Sequence, residues 1–304
     1  MRRLLKILKI SLWVLVLILA IFSVWFYFII QLPEPEIDQS IIHPEELIIV
    51  NDSNFKYQDA SLIKNSYGLW EMYISGSPEE LGIKNGILAQ HLIRIQEEAF
   101  VQQIKKMIPS QSYLGFLKYV ASLINHQLPE YIPEEYLKEI KAVSLFASDD
   151  FNFIGTNYAR LLNYHAAHDI GHAMQNLHLV ECTAFGVNKG LSSDGELLLG
   201  RNFDFYVGDD FAKNKIVMFV KPEFGIPFAS VTWGGMIGVL SGINQKGLTV
   251  TLNSAKSEIP LFAKTPVSII GREILQYART IEEAYEIATK HPSLVAESLR
   301  ISSS

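Results

Sequence analysis

The feature that most constrains this chain is an uncharged apolar run over residues 10–30. As a helix the run would be about 31 Å long, which matches the hydrocarbon thickness of a bilayer. A cleaved signal peptide is an alternative, but its apolar region would be shorter, and residues 28–38 supply no small-x-small cleavage site. A buried helix of a soluble domain is the other alternative. We predict a single transmembrane anchor.

Charged residues flank the apolar run unequally. Those before it are basic: Arg2, Arg3, Lys6 and Lys9. Those after it are acidic: Glu34, Glu36 and Asp38. By the positive-inside rule, the N-terminus stays in the cytoplasm and the chain after residue 31 is exported. We therefore expect a single-pass cell-membrane protein whose residues 10–30 contact lipid and whose larger part, after residue 31, is extracytoplasmic.

Overall charge limits the partners that the exported part can have. The 304-residue chain carries a net charge of −6, and its lysines and arginines cluster only in the first nine residues. Nucleic-acid binding depends on clustered cations that neutralise phosphates. We expect no nucleic-acid partner. The single cysteine cannot form an intramolecular disulfide, so cysteine usage does not indicate a redox compartment.

The first 181 residues are predicted to be anchor, stalk and helices. Residues 1–31 form the cytoplasmic tip and transmembrane anchor. Residues 32–60 contain three prolines and no sustained period, which is typical of an irregular stalk. Residues 61–181 are interpreted as a mostly helical region, introduced by a strand at about 69–74.

Four helices are predicted within residues 61–181. The sequence Ser-Pro-Glu-Glu at residues 77–80 forms a capping box with proline at the first helical position, and apolar residues then continue at helical spacing to about residue 107. Shorter helical patterns follow at 114–124, 134–146 and 158–176.

The pattern changes to short strands after residue 177. Strands are predicted at 183–187, 196–202, 215–220, 228–232, 237–240 and 248–252. Asp194-Gly195 between the first two indicates a hairpin. Two helices, 267–278 and 281–290, come afterwards. Strands followed by helices favour an α+β layered domain with an antiparallel sheet over residues 182–304.

Cys182 is the candidate nucleophile. A lone cysteine is more often an inert buried residue. This one stands at the start of the first strand, and Arg201 and Asp204 follow one hairpin later. A neighbouring guanidinium favours the thiolate that nucleophilic catalysis requires, and a carboxylate can orient an amine. A plain surface ion pair between Arg201 and Asp204 remains the alternative.

Five motifs in order give a family resemblance. Cys-Thr-Ala at 182–184 and Gly-Arg-Asn-Phe-Asp-Phe at 200–205 resemble the start of the catalytic chain of N-terminal-nucleophile cysteine hydrolases. That superfamily includes choloylglycine hydrolases, acid ceramidase-like enzymes and penicillin acyltransferases. The resemblance continues through Trp-Gly-Gly-Met-Ile-Gly at 233–238, Ser-Gly-Ile-Asn-Gln-Lys-Gly-Leu at 241–248 and Thr-Leu-Asn at 251–253.

The resemblance implies a fold and a mechanism. The fold would be the αββα sandwich of N-terminal-nucleophile (Ntn) hydrolases, and the helical region 61–181 that precedes it, after the transmembrane helix, would be a pro-region. Self-cleavage before Cys182 would free its α-amine as general base, and the thiolate would attack a small-molecule amide or acyl substrate. Arg201 would hold the cysteine, Asp204 would orient the amine, and Asn253 would donate to the oxyanion. No cofactor and no metal are implied.

Two departures from the family pattern leave a second function open. Glu181 precedes the cysteine, where the acyltransferase branch usually has glycine. The chain also stops at Ser304, where relatives continue with further strands that carry another asparagine and an arginine of the site. We therefore expect a C-terminally incomplete member. The alternative function is a catalytically inactive, membrane-tethered binding or scaffolding protein.

Three histidines on one predicted helix are a candidate metal site. His165, His168 and His172 lie at i, i+3 and i+7 with Asp169 among them, a spacing that could bind zinc. A His-Glu-x-x-His pattern is missing. We expect a polar helix whose histidines form local hydrogen bonds, and no metal.

Overall fold

The computed structural model describes residues 2–29, 31–173, 180–187, 189–205, 207–255 and 262–303. Helix α1, Arg2–Ile29, comes first. Its segment Leu5–Phe28 is long and apolar enough to cross a membrane, and the protein buries none of it. A signal sequence near an N-terminus would have the same properties, so the helix itself is established and its topology stays a prediction.

Four strands follow the apolar helix. They are β1 Leu47–Asn51, β2 Asn54–Tyr57, β3 Ala60–Lys64 and β4 Trp70–Gly76, each paired antiparallel with the next. The expectation of an irregular segment over 32–60 is therefore wrong for β1 and β2. These strands are short and bury little besides Tyr57, so their sequences lack a clear alternation of apolar and polar residues.

Four helices form the next part of the chain. They are α2 Pro78–Met107, α3 Gln111–Asn125, α4 Glu134–Ser144 and α5 Asn157–Ala173. The predicted capping box is confirmed: the Glu80 N–H donates to Ser77 Oγ at 3.3 Å, and the Ser77 N–H donates to the Glu80 carboxylate at 2.7 Å. The last residues of the predicted helix 158–176, from 174 onwards, lie outside the described ranges.

The remaining elements are strands first and helices later. The strands are β5 Val180–Val187, β6 Leu198–Phe205, β7 Ile216–Pro222, β8 Phe228–Thr232, β9 Ser241–Asn244, β10 Leu248–Ser254 and β11 Glu297–Ser303. The helices are α6 Asp209–Ala212, α7 Val267–Tyr277 and α8 Ile281–Lys290.

The strand predicted at 237–240 is wrong, and β9 follows directly after it. Two backbone N–H groups of this segment bond to helices, and only its last carbonyl, that of Leu240, bonds to a strand by accepting the Leu252 N–H of β10 at 2.9 Å. The Ile237 N–H donates to His165 Nε2 in α5, and the Val239 N–H donates to the Ser268 carbonyl in α7. Apolar residues at 237–240 are thus buried between helices, which a strand pattern alone does not distinguish.

Nine of the described strands form one sheet in the order β1-β2-β3-β4-β7-β8-β9-β10-β11, and β5 with β6 forms a second. The sheet was expected to be antiparallel, but β4 and β7 pair in parallel from Trp70↔Ile216 to Gly76↔Pro222. A parallel pair needs a long crossover, and residues 77–215 supply it. Residues before and after Cys182 therefore share one sheet.

The two faces of the large sheet differ. Met72, Met218 and Val250 belong to a core shared with α2, α4, α5 and α7. On the opposite face, Tyr73 stacks on Phe219 with ring centroids 4.6 Å apart and remains 42% exposed. The result is a mixed α+β fold with a large sheet and many helices. Because the second described sheet has only two strands, the αββα sandwich stays a prediction.

Buried ion pairs hold the helical layer together. Arg272 of α7 contacts Glu139 of α4 at 3.0 Å, and Arg160 of α5 contacts Glu97 of α2 at 2.9 Å. Burial raises the pKa of Glu139 more than Arg272 lowers it. Loss of one partner would leave an uncompensated buried charge. The Arg272–Glu139 pair joins elements that lie on opposite sides of Cys182 in sequence.

Helix α5 is anchored through His165. Of the three histidines considered as metal ligands, it is the one whose side chain lies in the described part. Its Nδ1 lies 2.7 Å from the Leu161 carbonyl, and its Nε2 accepts the Ile237 N–H at 3.0 Å. Only the Leu161 contact is local, because Ile237 is distant in sequence. The expectation of a polar helix with local histidine hydrogen bonds is therefore wrong for His165, which is buried and holds α5 against segment 237–240. Asp169 accepts the Val267 N–H at 3.0 Å. The side chains of His168 and His172 lie outside the described residues.

Acid should destabilise the fold through His165. Burial lowers its pKa to about 4, so the unfolded chain binds this proton near pH 6.5 and the folded chain does not. The associated stability is complete above pH 6.5 and is lost as the pH falls towards 4, by about 2 kcal/mol at pH 5. Urea unfolding at pH 7.5 and pH 5 should show this loss, and His165→Gln should remove it. His43→Gln, at a partly exposed position, is the control and should leave the loss unchanged.

Candidate active site

Strands β5 and β6 bring Cys182 and Arg201 to one face of a hairpin. Their antiparallel register sets Cys182 opposite Phe203 and Ala184 opposite Arg201. Opposed residues in an antiparallel pair project from the same face, so Cys182, Ala184, Arg201 and Phe203 share a face. The predicted hairpin is therefore present. Gly195 in its connection has φ of 80°, a conformation that favours glycine.

The Arg201 guanidinium joins Cys182 to the large sheet. Its Nη2 lies 3.6 Å from Cys182 Sγ and also donates to the Leu252 carbonyl of β10. Its Nη1 donates to Ser241 Oγ of β9 at 3.0 Å, and its carbon lies 4.2 Å from the centre of the Phe203 ring. Because these contacts come from four strands, they hold the cation beside the partly exposed thiol.

Charges around Arg201 support a cation in this position. Burial lowers the pKa of Arg201, and the interactions with Cys182, Glu297 and Asp204 oppose this shift without cancelling it. Glu297 begins β11, where it is in register with Ser254 of β10. Neither Glu297 nor Ser241 was assigned a role from the sequence. Ser241 lies in a motif that was recognised, whereas Glu297 reaches the site only through the β10–β11 register, which no local sequence pattern indicates.

Asp204 does not lie beside the Cys182 sulfur. It is in register with Glu181 and is exposed, on the β6 face opposite to that of Arg201. Its Oδ1 accepts a 3.3 Å hydrogen bond from Asn202 Nδ2 on the same face. The alternation of a strand separates residues 201 and 204 in this way. The amine-orienting role of Asp204 stays a prediction.

Asn253 lies next to an Arg201 contact. It follows Leu252 in β10, and its Nδ2 donates to Thr251 Oγ1 and to the Thr251 carbonyl at 3.3 and 3.4 Å. Both distances are longer than those of a strong N–H···O bond. The amide is therefore held weakly, and it can turn to another acceptor at small cost. Its oxyanion role stays a prediction.

An aromatic cluster extends the site on the Arg201 face. Phe203 stacks on Trp233 with centroids 6.3 Å apart, and Phe211 meets Trp233 edge-on at 5.3 Å. Lys215 Nζ lies 4.3 Å from the Phe211 ring, and burial lowers the pKa of Lys215 to about 8. Together with Phe205, these side chains form a mainly apolar, mostly buried cluster, and its member Phe203 lies opposite Cys182 in register.

Gly234 allows this cluster to approach helix α2. A Cβ atom there would lie 2.6 Å from the Ile93 nitrogen and 2.7 Å from the Leu92 carbonyl carbon. Both are backbone atoms of α2, so a side chain at Gly234 would push the helix away. A cavity lies between α2, α5 and segment 233–236, lined in part by Phe100, Phe205 and Trp233. The close approach explains the glycine that the resemblance singled out.

Comparison with known proteins identifies the class of similar enzymes. Residues 191–301 match the model of the acyl-coenzyme A:6-aminopenicillanic acid acyl-transferase family, which is of the Ntn-hydrolase type. The matched segment contains Arg201, Asp204 and Asn253, while Cys182 lies before it. The match indicates an enzyme related to acyltransferases and hydrolases.

A relative in Archaeoglobus fulgidus is similar over a longer stretch. It is an uncharacterized protein, 25% identical over 231 residues. The alignment covers 71% of this chain and 38% of the relative. The chain thus spans well under half the length of the curated relative that it matches.

Proposed function

We propose that this chain is a membrane-anchored amidohydrolase or acyltransferase that uses Cys182 as its N-terminal nucleophile on amide-linked acyl groups. The observation that carries the proposal is the Arg201 guanidinium, 3.6 Å from the sulfur of the only cysteine. A nearby guanidinium stabilises a thiolate, which is the nucleophilic form. The similarity of residues 191–301 to the acyltransferase family supports the same chemistry.

The proposed reaction proceeds through an acyl-enzyme. The Cys182 thiolate attacks the amide carbonyl carbon, and Asn253 Nδ2 donates to the oxygen as it becomes negative. The C–N bond then breaks, and the Cys182 α-ammonium gives its proton to the leaving amine. Water or another amine attacks the thioester and restores the thiol. The partly exposed rings of Phe203 and Phe205, packed against the buried Trp233, suit a hydrophobic acyl group.

Thiol alkylation tests the activated cysteine. The full chain should react with iodoacetamide at pH 7 while folded, and Arg201→Gln should slow the reaction about tenfold, equivalent to about 1.4 kcal/mol of lost thiolate stabilisation. Arg94→Gln is the control because Arg94 is exposed and pairs with Asp150 at 2.8 Å. Intact mass reports the adduct. A cysteine that reacts only after unfolding would overturn the proposal in favour of an inactive binding or scaffolding protein.

Membrane topology is tested separately. If α1 is an anchor with its basic end in the cytoplasm, protease added to intact spheroplasts should degrade the chain after residue 31. The immunoblot signal of a C-terminal tag should disappear before the cells are lysed, while a cytoplasmic marker protein stays intact. Protection until lysis would show that the orientation is reversed. Release of the domain into the medium would show that α1 is a cleaved signal.

A further inference from the structure

Helix α3 carries an apolar face that the described protein leaves uncovered. The exposed fractions of Tyr113, Phe116, Tyr119 and Leu123 are 52%, 60%, 48% and 41%. Steps of three and four residues place them along one side of the helix. Within α3 the only buried residue is Asn125, at its C-terminal end. A helix this apolar and this exposed requires a partner other than water.

The border of this face is basic. Lys118 is the only charged residue of α3, and its Nζ donates to the Phe153 carbonyl at 3.0 Å. Lys105, in the last turn of α2, lies over the Phe153 ring at 4.9 Å, and the ring is 55% exposed. The border therefore combines an exposed aromatic ring with two lysines.

Contact with α1 places this face near the membrane. The Phe26 ring of α1 lies 6.0 Å from the Tyr119 ring of α3. Phe26 belongs to the aromatic C-terminal end of α1, which also contains Trp25 and Tyr27. Aromatic residues of this kind lie at the level of the lipid headgroups in a spanning helix. The face of α3 thus continues the apolar surface of α1.

We propose that α3 lies in the membrane–water interface where α1 leaves the bilayer, with Tyr113, Phe116, Tyr119 and Leu123 among the lipids. The proposal rests on α1 being the membrane anchor of the proposed function. With 15 residues, α3 is about 22 Å long, too short to span. An amphipathic helix of that length lies parallel to the surface. Lys105 and Lys118 then meet anionic headgroups.

Charge favours lipid over a second copy of the chain. A symmetric dimer through α3 would place the same lysine-rich border of both copies together. Like charges in contact are unfavourable, whereas lipid phosphates neutralise each lysine. Tyrosine and lysine are also residues typical of interfacial helices, with polar ends in the headgroup layer and apolar stems below it.

Depth-dependent quenching tests the proposal in the full chain. Cys182→Ala removes the native thiol, and a single cysteine labelled with an environment-sensitive fluorophore replaces Phe116. Tyr285→Cys is the matched control, since Tyr285 is an exposed aromatic residue of α8. Leu17→Cys reports α1 separately. Each protein is reconstituted in phosphatidylcholine–phosphatidylglycerol vesicles that contain lipids with a nitroxide close to the headgroup or deep in the acyl chain.

The label at 116 should be quenched several-fold more by the shallow nitroxide than the label at 285, and the label at 17 should be quenched by the deep one. Quenching at 116 equal to that at 285 would overturn the proposal. A label at 116 that is shielded from iodide but not quenched by lipid would also overturn it, because a protein surface would then cover α3. An unquenched label at 17 would show that α1 is not a membrane anchor. The label at 116 would still show, independently, whether α3 contacts lipid.

Discussion

Cys182→Ala is expected to leave a single uncleaved chain of 304 residues, whereas the wild-type chain yields a fragment that begins at Cys182. A free α-amine on the nucleophile requires cleavage of the bond between Glu181 and Cys182. The sulfur attacks the Glu181 carbonyl carbon, the C–N bond breaks as the nitrogen takes up a proton, and a thioester forms. Water hydrolyses the thioester, which releases the Glu181 carboxylate and restores the thiol.

Strand β5 determines where this chemistry would occur. Residues 181 and 182 are paired in regular register with Asp204 and Phe203, so the bond lies in an extended strand. Arg201 holds the sulfur 3.6 Å from its guanidinium, a contact that alanine removes. Cys182→Ser retains a weaker nucleophile and should cleave slowly. Ser192→Ala, in the β5–β6 connection, is the control and should cleave like the wild-type chain.

The two pieces, residues 1–181 and 182–304, should stay associated after cleavage. Strands β4 and β7 belong to different pieces and pair in parallel along their full length. The buried Arg272–Glu139 ion pair also crosses between them. A denaturing gel should therefore show two bands, while size exclusion in mild detergent shows one species.

N-terminal sequencing decides the origin of the fragment. A chain that begins at Cys182 in the wild type, and its absence in Cys182→Ala, would support self-cleavage. Cleavage that persists in Cys182→Ala would assign the cut to another protease. An uncleaved wild-type chain that nevertheless hydrolyses amides would eliminate the α-amine as general base.

Local patterns predicted most of the helices because their signals are local. The capping box at Ser77 and the proline at residue 78 determine the start of α2 by contacts within one turn. Helices α4, α7 and α8 likewise begin at or within a residue of their predicted positions. Hydrophobic spacing and helix caps involve only a few neighbouring residues, so they can be identified from a single sequence.

Pairing between distant strands could not be predicted in the same way. The parallel β4–β7 pair joins residues separated by the whole helical part of the chain. Segment 237–240 was predicted as a strand because it is apolar, yet its N–H groups bond to His165 and Ser268. Such partners depend on tertiary packing, which overrides local preference.

The candidate site also combines contacts that are local in sequence with contacts that depend on the pairing of distant strands. The approach of Arg201 to Cys182 follows from one hairpin and was accessible from the sequence. Contacts of Arg201 with Ser241 and Leu252, and the charge of Glu297 near it, depend on β9, β10 and β11. Asp204 shows the limit of spacing arguments, since an offset of three residues in a strand places two side chains on opposite faces.

Asn253→Ala should lower kcat by about 10²–10³ in the amidase reaction, with a smaller change in KM. Negative charge develops on the substrate oxygen only as the thiolate attacks, so a donor to that oxygen stabilises the transition state more than the bound substrate. The loss corresponds to about 2.7–4 kcal/mol. Hydrolysis of a chromogenic acyl anilide by the purified full chain measures both constants.

The structure allows this effect to be separated from misfolding. Asn253 Nδ2 has two long contacts, both with Thr251 of its own strand, so alanine should change the urea midpoint little. Asn51→Ala is the matched control: Asn51 is an exposed asparagine at the end of β1, at the opposite edge of the same sheet. That variant should retain near wild-type kcat. A decrease of tenfold or less in Asn253→Ala, or an equal decrease in Asn51→Ala, would remove Asn253 from the oxyanion role.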